Sequence, residues 1–305
     1  WDGKRSRIDL ADRAVTSALG FGSDVPAPRS IAAGLFNAIP QAPALAVPAI
    51  PRAGDPPQFG LPLSAPVGSV VVAHALAENS ENAVLYYAVL SDGLQPISPV
   101  LAAMLRNANS YGFEQPPRLG ADQVARLPVS RVLDTSRYPE QRISLVDAAR
   151  NPVTCALWSK PAGAATSSLT LLSGSALPVP DGVHTEELVG AGTGGVATRV
   201  AMAPGTGYFT QTVGQTATSP AAGSLFWIGD TGVRYGIDVE GGASTEHAKT
   251  IEALGLNPPP TAIPWSMLSL FAPGPTLSRA DALLAHDGLA PDTRPGRATS
   301  AGETR

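Results

Sequence analysis

The sequence predicts an α+β protein, a central β-sheet domain flanked by repeated strand-turn-strand-helix units, elongated in shape. Three observations lead there. The same punctuation, an Asp-Gly or Asp-Thr-Gly turn, an apolar helix, a Gly and then Pro, occurs three times. The stretches after the turns carry apolar residues at spacings of three and four, the mark of a helix with one buried face. Between the copies lie short runs of Val, Thr, Leu and aromatic residues separated by Gly, Pro and Ser, which read as β-strands. With 31 Gly and 30 Pro in 305 residues the chain is no long helical bundle, yet runs such as Val70 to Ala73 and Val84 to Leu90 can build a core.

The first copy spans residues 1–45. It opens Asp2-Gly3-Lys4-Arg5-Ser6-Arg7-Ile8-Asp9 and continues into a helical stretch, Leu10 to Leu19, with Leu10, Ala14, Val15 and Ala18 on one face. Gly20 stands where a left-handed cap is wanted, and Pro26 lies beyond it. A short apolar segment, Ile31 to Ile39, closes at Pro40. Because this copy begins at its turn, its leading strand is expected upstream of Trp1. Residues 46–66 form a Pro-rich link, extended and pinned to the surface. Residues 67–81 are assigned to the central β-domain.

In the second copy, 82–135, the strand Val84 to Leu90 runs into Asp92-Gly93-Leu94-Gln95-Pro96-Ile97-Ser98. A helix from Pro99 to about Ala108 follows, with Val100, Leu101, Met104 and Leu105 on its apolar face. Tyr111-Gly112-Phe113 and Pro116-Pro117 end it, and Ala121 to Leu127 before Pro128 is its short closing segment. Residues 136–222, with strands at Val153 to Trp158, Ser168 to Val179, Gly195 to Met202 and Gly207 to Val213, complete the central domain. The third copy, 223–285, pairs Leu225-Phe226-Trp227-Ile228 with Thr231-Gly232-Val233-Arg234-Tyr235-Gly236-Ile237-Asp238, then a helix through Leu254, Gly255, Pro258 to Pro260, and Pro264 to Ala272. Gly3, Gly93 and Gly232 are the three repeat turns, where a glycine can supply positive φ. From 286 to 305 almost no large apolar side chain occurs, so a disordered tail is expected.

The formal charge of -4 and the lack of a Lys/Arg cluster exclude the electrostatic footprint of a nucleic-acid binder. No run reaches the roughly 18 apolar residues that span a bilayer; the best candidate, Ala38 to Ile50, is broken by Pro40, Pro43 and Pro48. The chain starts on Trp1 without a signal region, so further sequence is expected before it. One cysteine, Cys155, leaves either a free thiol or a partner outside these residues.

Catalytic signals are few. His74, His184, His247 and His286 form no metal-binding pair. No Ser sits in G-x-S-x-G and Cys155 has no nucleophile signature. Residues 243–250 place Lys249-Thr250 as a phosphate loop would, but Ala stands at both Gly positions where the third copy needs its helix. Gly190-Ala191-Gly192-Thr193-Gly194-Gly195 lacks the strand-helix context of a dinucleotide loop and reads as a flexible loop. Asp230-Thr231-Gly232 has the aspartic-protease fingerprint, yet the matching positions Asp92-Gly93 and Asp2-Gly3 lack Thr, so it reads as a hairpin turn. Tyr86, Tyr87, Phe226 and Trp227 are expected in strand cores rather than stacked on cell-wall sugars. No cofactor or metal is expected.

Taken together, Trp1-Asp2-Gly3-Lys4-Arg5, Leu35-Phe36-Asn37-Ala38-Ile39-Pro40, Asp92 to Ser98, Pro152-Val153-Thr154-Cys155, Asp230 to Gly236 and Pro273-Gly274-Pro275-Thr276-Leu277-Ser278 resemble the EccB family of mycobacterial type VII (ESX) secretion systems. The resemblance covers all but the tail. It implies a single-pass inner-membrane protein with its anchor upstream of Trp1, this portion lying in the periplasm. It also implies four repeats around a central β-domain, one of them before residue 1, and a disulfide joining Cys155 to a cysteine upstream. The role it implies is a non-catalytic assembly component that forms homo-oligomers and contacts EccC, EccD and EccE. ATP hydrolysis, with ATP as ligand, is the alternative, an activity often ascribed to the family but with no nucleotide motif visible here.

Overall fold

The computed structural model describes residues 1, 3–22, 25, 27–74, 84–192, 195–239 and 244–279, with the backbone alone at 244–247. Asp2, residues 23–24, Pro26, the stretches 75–83 and 240–243, Thr193 and Gly194 of the glycine loop, and the tail from 280 lie outside the described residues. The chain divides into two compact units, Trp1–Ser159 with Ser167–Pro178, and Lys160–Thr166 with Val179–Arg305.

The first unit holds the first two copies. Helix α1 (Arg13–Leu19) starts later than the apolar spacing suggests because Asp12 caps it, its carboxylate accepting from the amides of Ala14 at 2.9 Å and Val15 at 3.3 Å. Leu10 falls ahead of that cap and is exposed. Gly20 closes the helix at φ 100°. Short helix α2 is Ala33–Ala38.

In the second copy, β1 (Val70–His74), β2 (Val84–Val89) and β3 (Leu94–Ile97) form an antiparallel meander. Helix α3 (Pro99–Ala108) starts from Ser98, whose hydroxyl accepts from the Leu101 amide at 3.2 Å, with Pro99 at its first turn. Strand β4 (Arg118–Leu119) then runs parallel to β1, helix α4 (Ala121–Arg126) crosses back, and Val129 pairs in parallel with Leu94. The order is β3-β2-β1-β4. Residues 70–74 therefore belong to this sheet and not to a separate central one. A two-stranded hairpin is too narrow to support a helix by itself, and Val70, Val71, Val72 and Ala73, buried in succession, fit a strand covered on both faces.

One face of the sheet, Val70, Ala88, Leu90 and Ile97, receives Val100, Leu101, Met104 and Leu105 of α3 and Val15, Ala18 and Leu19 of α1. The opposite face, Val71, Val89 and Leu94, is sealed by the link, from which alternate residues Phe59, Leu61, Leu63 and Ala65 turn inward. Farther along, β5 (Val153–Ser159) and β6 (Ser168–Gly174) pair as a two-stranded hairpin.

The second unit begins with another hairpin, β7 (Thr185–Glu187) and β8 (Arg199–Ala201). Its main sheet comprises β9 (Gly207–Val213), β10 (Leu225–Gly229), β11 (Val233–Asp238), β12 (Thr261–Pro264) and β13 (Ala272–Pro273), ordered β12-β9-β10-β11-β13, with β14 (Leu277–Ser278) also beside β11. Helix α5 (Ser244–Ala253) connects β11 to β12, and α6 (Trp265–Leu268) connects β12 to β13. Strand 207–213, expected in the central domain, is thus the first strand of the third copy. Counting the Leu94–Val129 bridge, the two full copies match strand for strand: meander, helix, parallel return strand, short helix, parallel closing strand.

Candidate functional site: the repeat turns and their clamps

The three turn glycines are needed for two different reasons. Gly3 and Gly232 have φ of 65° and 76°, in the left-handed region that side chains disfavour. A Cβ on Gly3 would lie 2.9 Å from the Leu169 carbonyl oxygen of β6, and one on Gly232 would overlap Leu188 and Val200 beside and within the β7–β8 hairpin. Gly93 corrects the expectation of positive φ, for its backbone is outside that region; a Cβ there would strike the Pro128 carbonyl group, so space is what it requires. The outer copies thus seat their turns on two-stranded hairpins, and the middle copy seats its turn on its own closing strand.

The closing strands align the copies further. Arg5 pairs in parallel with Gln41, Leu94 with Val129 and Arg234 with Pro273. In the outer copies this place holds an arginine that clamps the short helix. Arg5 donates from Nε to the carbonyls of Phe36 (2.9 Å) and Ile39 (3.0 Å), with its guanidinium 3.7 Å from the Phe36 ring centre. Arg234 donates from Nε to the Phe271 carbonyl at 3.1 Å and lies 4.9 Å from the Trp265 ring centre. Four residues past the closing pair each copy has a leucine: Leu45 bridges Ile8, Leu277 pairs with Ile237, and Leu133 is bound by Gln95. The Gln95 amide donates to the Leu133 carbonyl at 2.7 Å and accepts from its N–H at 2.9 Å. Nothing in the local sequence around Arg5 or Arg234 assigns this role; the signal is the shared Gly-x-Arg, visible only once copies one and three are set apart from copy two.

Among the described residues the remaining candidates do not converge. Cys155 sits in β5 opposite Leu172, half-buried. Asp230, in the β10–β11 turn, accepts from the Gly205 N–H at 2.7 Å. Residues 244–250, where a phosphate loop would have to curl, lie in α5, and Thr250 is 1% exposed. Tyr86 packs with one core of the second copy and Tyr87 with the other. Among the described residues no three of His, Cys, Asp and Glu are grouped to hold a metal. A cavity of about 290 Å³ in the first unit is lined by Trp1, Lys4, Gln41, Asp134 and Arg137 among others. At its rim the Ser136 hydroxyl holds the Asp134 carboxyl below its ordinary value.

The sequence matches the family described as "Type VII secretion system ESX-1, transport TM domain B" over residues 1–291. The chain belongs to this EccB family. It is 71% identical over 304 residues to a Mycobacterium tuberculosis protein named ESX-3 secretion system ATPase EccB3, a match covering 99% of this chain and 56% of that one. It is 62% identical to the protein of that name from Mycolicibacterium smegmatis, over 97% of this chain and 56% of that one. The EccB3 dimer from the ESX-3 core complex matches with a TM-score of 0.79 and 64% identity over 93% of this chain and 69% of that chain. The periplasmic assembly from the ESX-5 inner membrane complex matches at 0.70 and 36% identity, over 95% and 68%. These solved EccB structures share the mixed α+β fold. The chain spans a little over half the length of the curated relatives it matches. Among the described residues no helix is long and apolar enough to cross a membrane.

Proposed function

We propose that this EccB-family chain is a periplasmic assembly component of a type VII secretion membrane complex of the ESX-3 kind, acting as a homo-oligomer. The observation that carries this reading is its likeness, at 64% identity, to an EccB3 dimer from the ESX-3 core complex. Copies built around turn and clamp residues, with no grouped catalytic side chains among the described residues, suit a part that holds others in place. In this reading the anchor and the cysteine paired with Cys155 belong to the longer polypeptide, and EccC, EccD and EccE are the neighbouring subunits.

The name of the relatives raises ATP hydrolysis as the other reading. The helical backbone from Ser244 and the buried Thr250 argue against a phosphate loop at the most similar stretch, because such a loop must offer its amides and hydroxyl to the ligand. The test replaces EccB3 in a mycobacterial strain with the full-length protein, purifies the detergent-solubilised complex and follows export. Restored assembly and export are expected; a complex that forms and exports equally well without it would sink the reading. ATP turnover that tracks folded protein through purification would restore the enzymatic alternative.

A further inference from the structure

We propose that the third copy carries a groove that takes a proline-rich segment of a partner protein with apolar residues at alternate positions. The argument starts from the matching face of the second copy, which the chain covers by itself. There Phe59, Leu61, Leu63 and Ala65 turn inward from an irregular stretch, bent at Phe59 and Leu63 and interrupted by Pro57, Pro62 and Pro66, and they close over Val71, Val89, Leu94 and Leu119.

Strand register transfers this face to the third copy. Tyr87 pairs with Pro96 and Val89 with Leu94; the corresponding pairs are Phe226 with Gly236 and Ile228 with Arg234. The deep layer is filled in both, in the third copy by Ile228, Thr210 and Leu268, all buried. The outer layer differs. The Phe226 and Trp265 rings stand 5.9 Å apart at 46°, with the Arg234 guanidinium against Trp265, where the Phe271 carbonyl steadies it. Trp265 is 51% exposed, and Tyr208, which pairs with Ile228 and so shares the face, is 50% exposed. Gly236 leaves the floor beside Phe226 flat, for a Cβ there would lie 3.8 Å from both Phe226 and Thr276. Ala203, Pro204, Gly205 and Thr206, which lead into β9, are exposed, and among the described residues nothing corresponds to the inward row of Phe59 to Ala65.

The second copy shows what fits such a face. A segment with alternate apolar residues and intervening prolines loses little conformational freedom on binding, and aromatic troughs are suited to it. Arg234 adds a flat cation that stacks and can donate to peptide carbonyls, which an aliphatic residue such as Leu94 cannot.

The test titrates the folded full-length protein into a fluorescently labelled peptide with the sequence of residues 56–66, the stretch that performs this task in the second copy. Saturable anisotropy is expected, with a Kd near 10⁻⁴ M, a typical strength for a transient peptide contact burying about 1,000 Å² or less. Trp265→Ala should weaken binding at least about tenfold and Tyr208→Ser by a smaller factor, whereas Trp1→Ala should leave it unchanged. A photo-reactive version of the peptide should crosslink to residues 226–236 and 265–276, which reports the site even if Trp265→Ala melts early. No saturation at millimolar peptide, undiminished binding to a well-folded Trp265→Ala protein, crosslinks elsewhere, or equal binding of a peptide with every Pro changed to Ala would each overturn the proposal. Displacement of the peptide by soluble glycan fragments would assign the aromatics to sugar stacking instead. None of these results depends on assembly of the secretion complex, so the two proposals fail separately.

Discussion

At one point in the fold the second copy has Leu94, 2% exposed, and the third has Arg234, stacked on Trp265 and bonded to the Phe271 carbonyl. The same difference runs outward from there. The second copy seals both faces of its sheet with apolar side chains, one face with α3 and α1, the other with the link. The third retains the strand order but rims one face with Phe226, Trp265 and Arg234, leaving aromatic surface in solvent. One topology thus accepts either a dry lid or an arginine clamp, because main-chain pairing sets the sheet and the side chains above it are free to differ. The lesson is that copies of one topology need not be equivalent: one can bury both sheet faces and another leave one open.

Substitutions can break this comparison, beginning with the turns. Gly232→Val should lower stability by about 3 kcal/mol or more, since it forces left-handed backbone and overlaps Leu188 and Val200. Gly112→Ala, at φ 81° but in open space, should lose only about 1 kcal/mol. Equal melting temperatures for the two would refute the close packing of the third turn. Next comes the dry core: Leu101→Ala on α3 empties a fully buried site and should cost about 2–5 kcal/mol in denaturant unfolding. A loss below 1 kcal/mol would mean that α1 and α3 do not close over the sheet as described.

The closing strands give smaller effects and sharpen the contrast. Gln95→Leu deprives the Leu133 N–H and carbonyl of their side-chain partners and should cost about 1–3 kcal/mol. Arg234→Leu, which copies the second-copy solution, should cost nearer 1 kcal/mol, because its bond to the Phe271 carbonyl is only part-buried and the Trp265 ring is half exposed, so solvent can replace part of the interaction. An Arg234→Leu loss exceeding that of Gln95→Leu would reverse the ranking of clamp and lid. The smallest effect concerns pH. Burial, outweighing the neighbouring Arg137, raises the Tyr138 phenol above its ordinary value of 10.0, and its hydroxyl donates to the Ala46 carbonyl at 3.0 Å. The folded state favours the neutral phenol, so this contribution is complete below about pH 10 and is lost as pH rises through the folded-state value. Tyr138→Phe should flatten that alkaline slope in a pH series of melting curves; an unchanged slope would show that the phenol is not its source.

Much of the repeat was legible in the chain because the signals are local. Gly20 needs a left-handed backbone at a helix end, Pro99 favours a first helical turn, and Val100, Leu101, Met104 and Leu105 mark a face whatever lies opposite. The site was less legible. Arg5 and Arg234 stand in short motifs, but their partners are the carbonyls of Ile39 and Phe271, more than thirty residues away. Carbonyl groups leave no mark in composition. Leu45, Leu133 and Leu277 recur at one spacing after the closing pair, a pattern that acquires meaning only when the parallel pairing is known.

By itself the sequence determined the α+β class, the helices α1 and α3 and the likeness to EccB, since each follows from residue type at short range. Tertiary structure decided where the strands Val70–His74 and Gly207–Val213 belong. An apolar strand can pair on either side, and its hydrogen bonds are chosen by what lies beside it. It also decided why Gly93 must be glycine and which sheet face stays open. Those answers depend on atoms brought together from distant parts of the chain, through packing that no local pattern encodes.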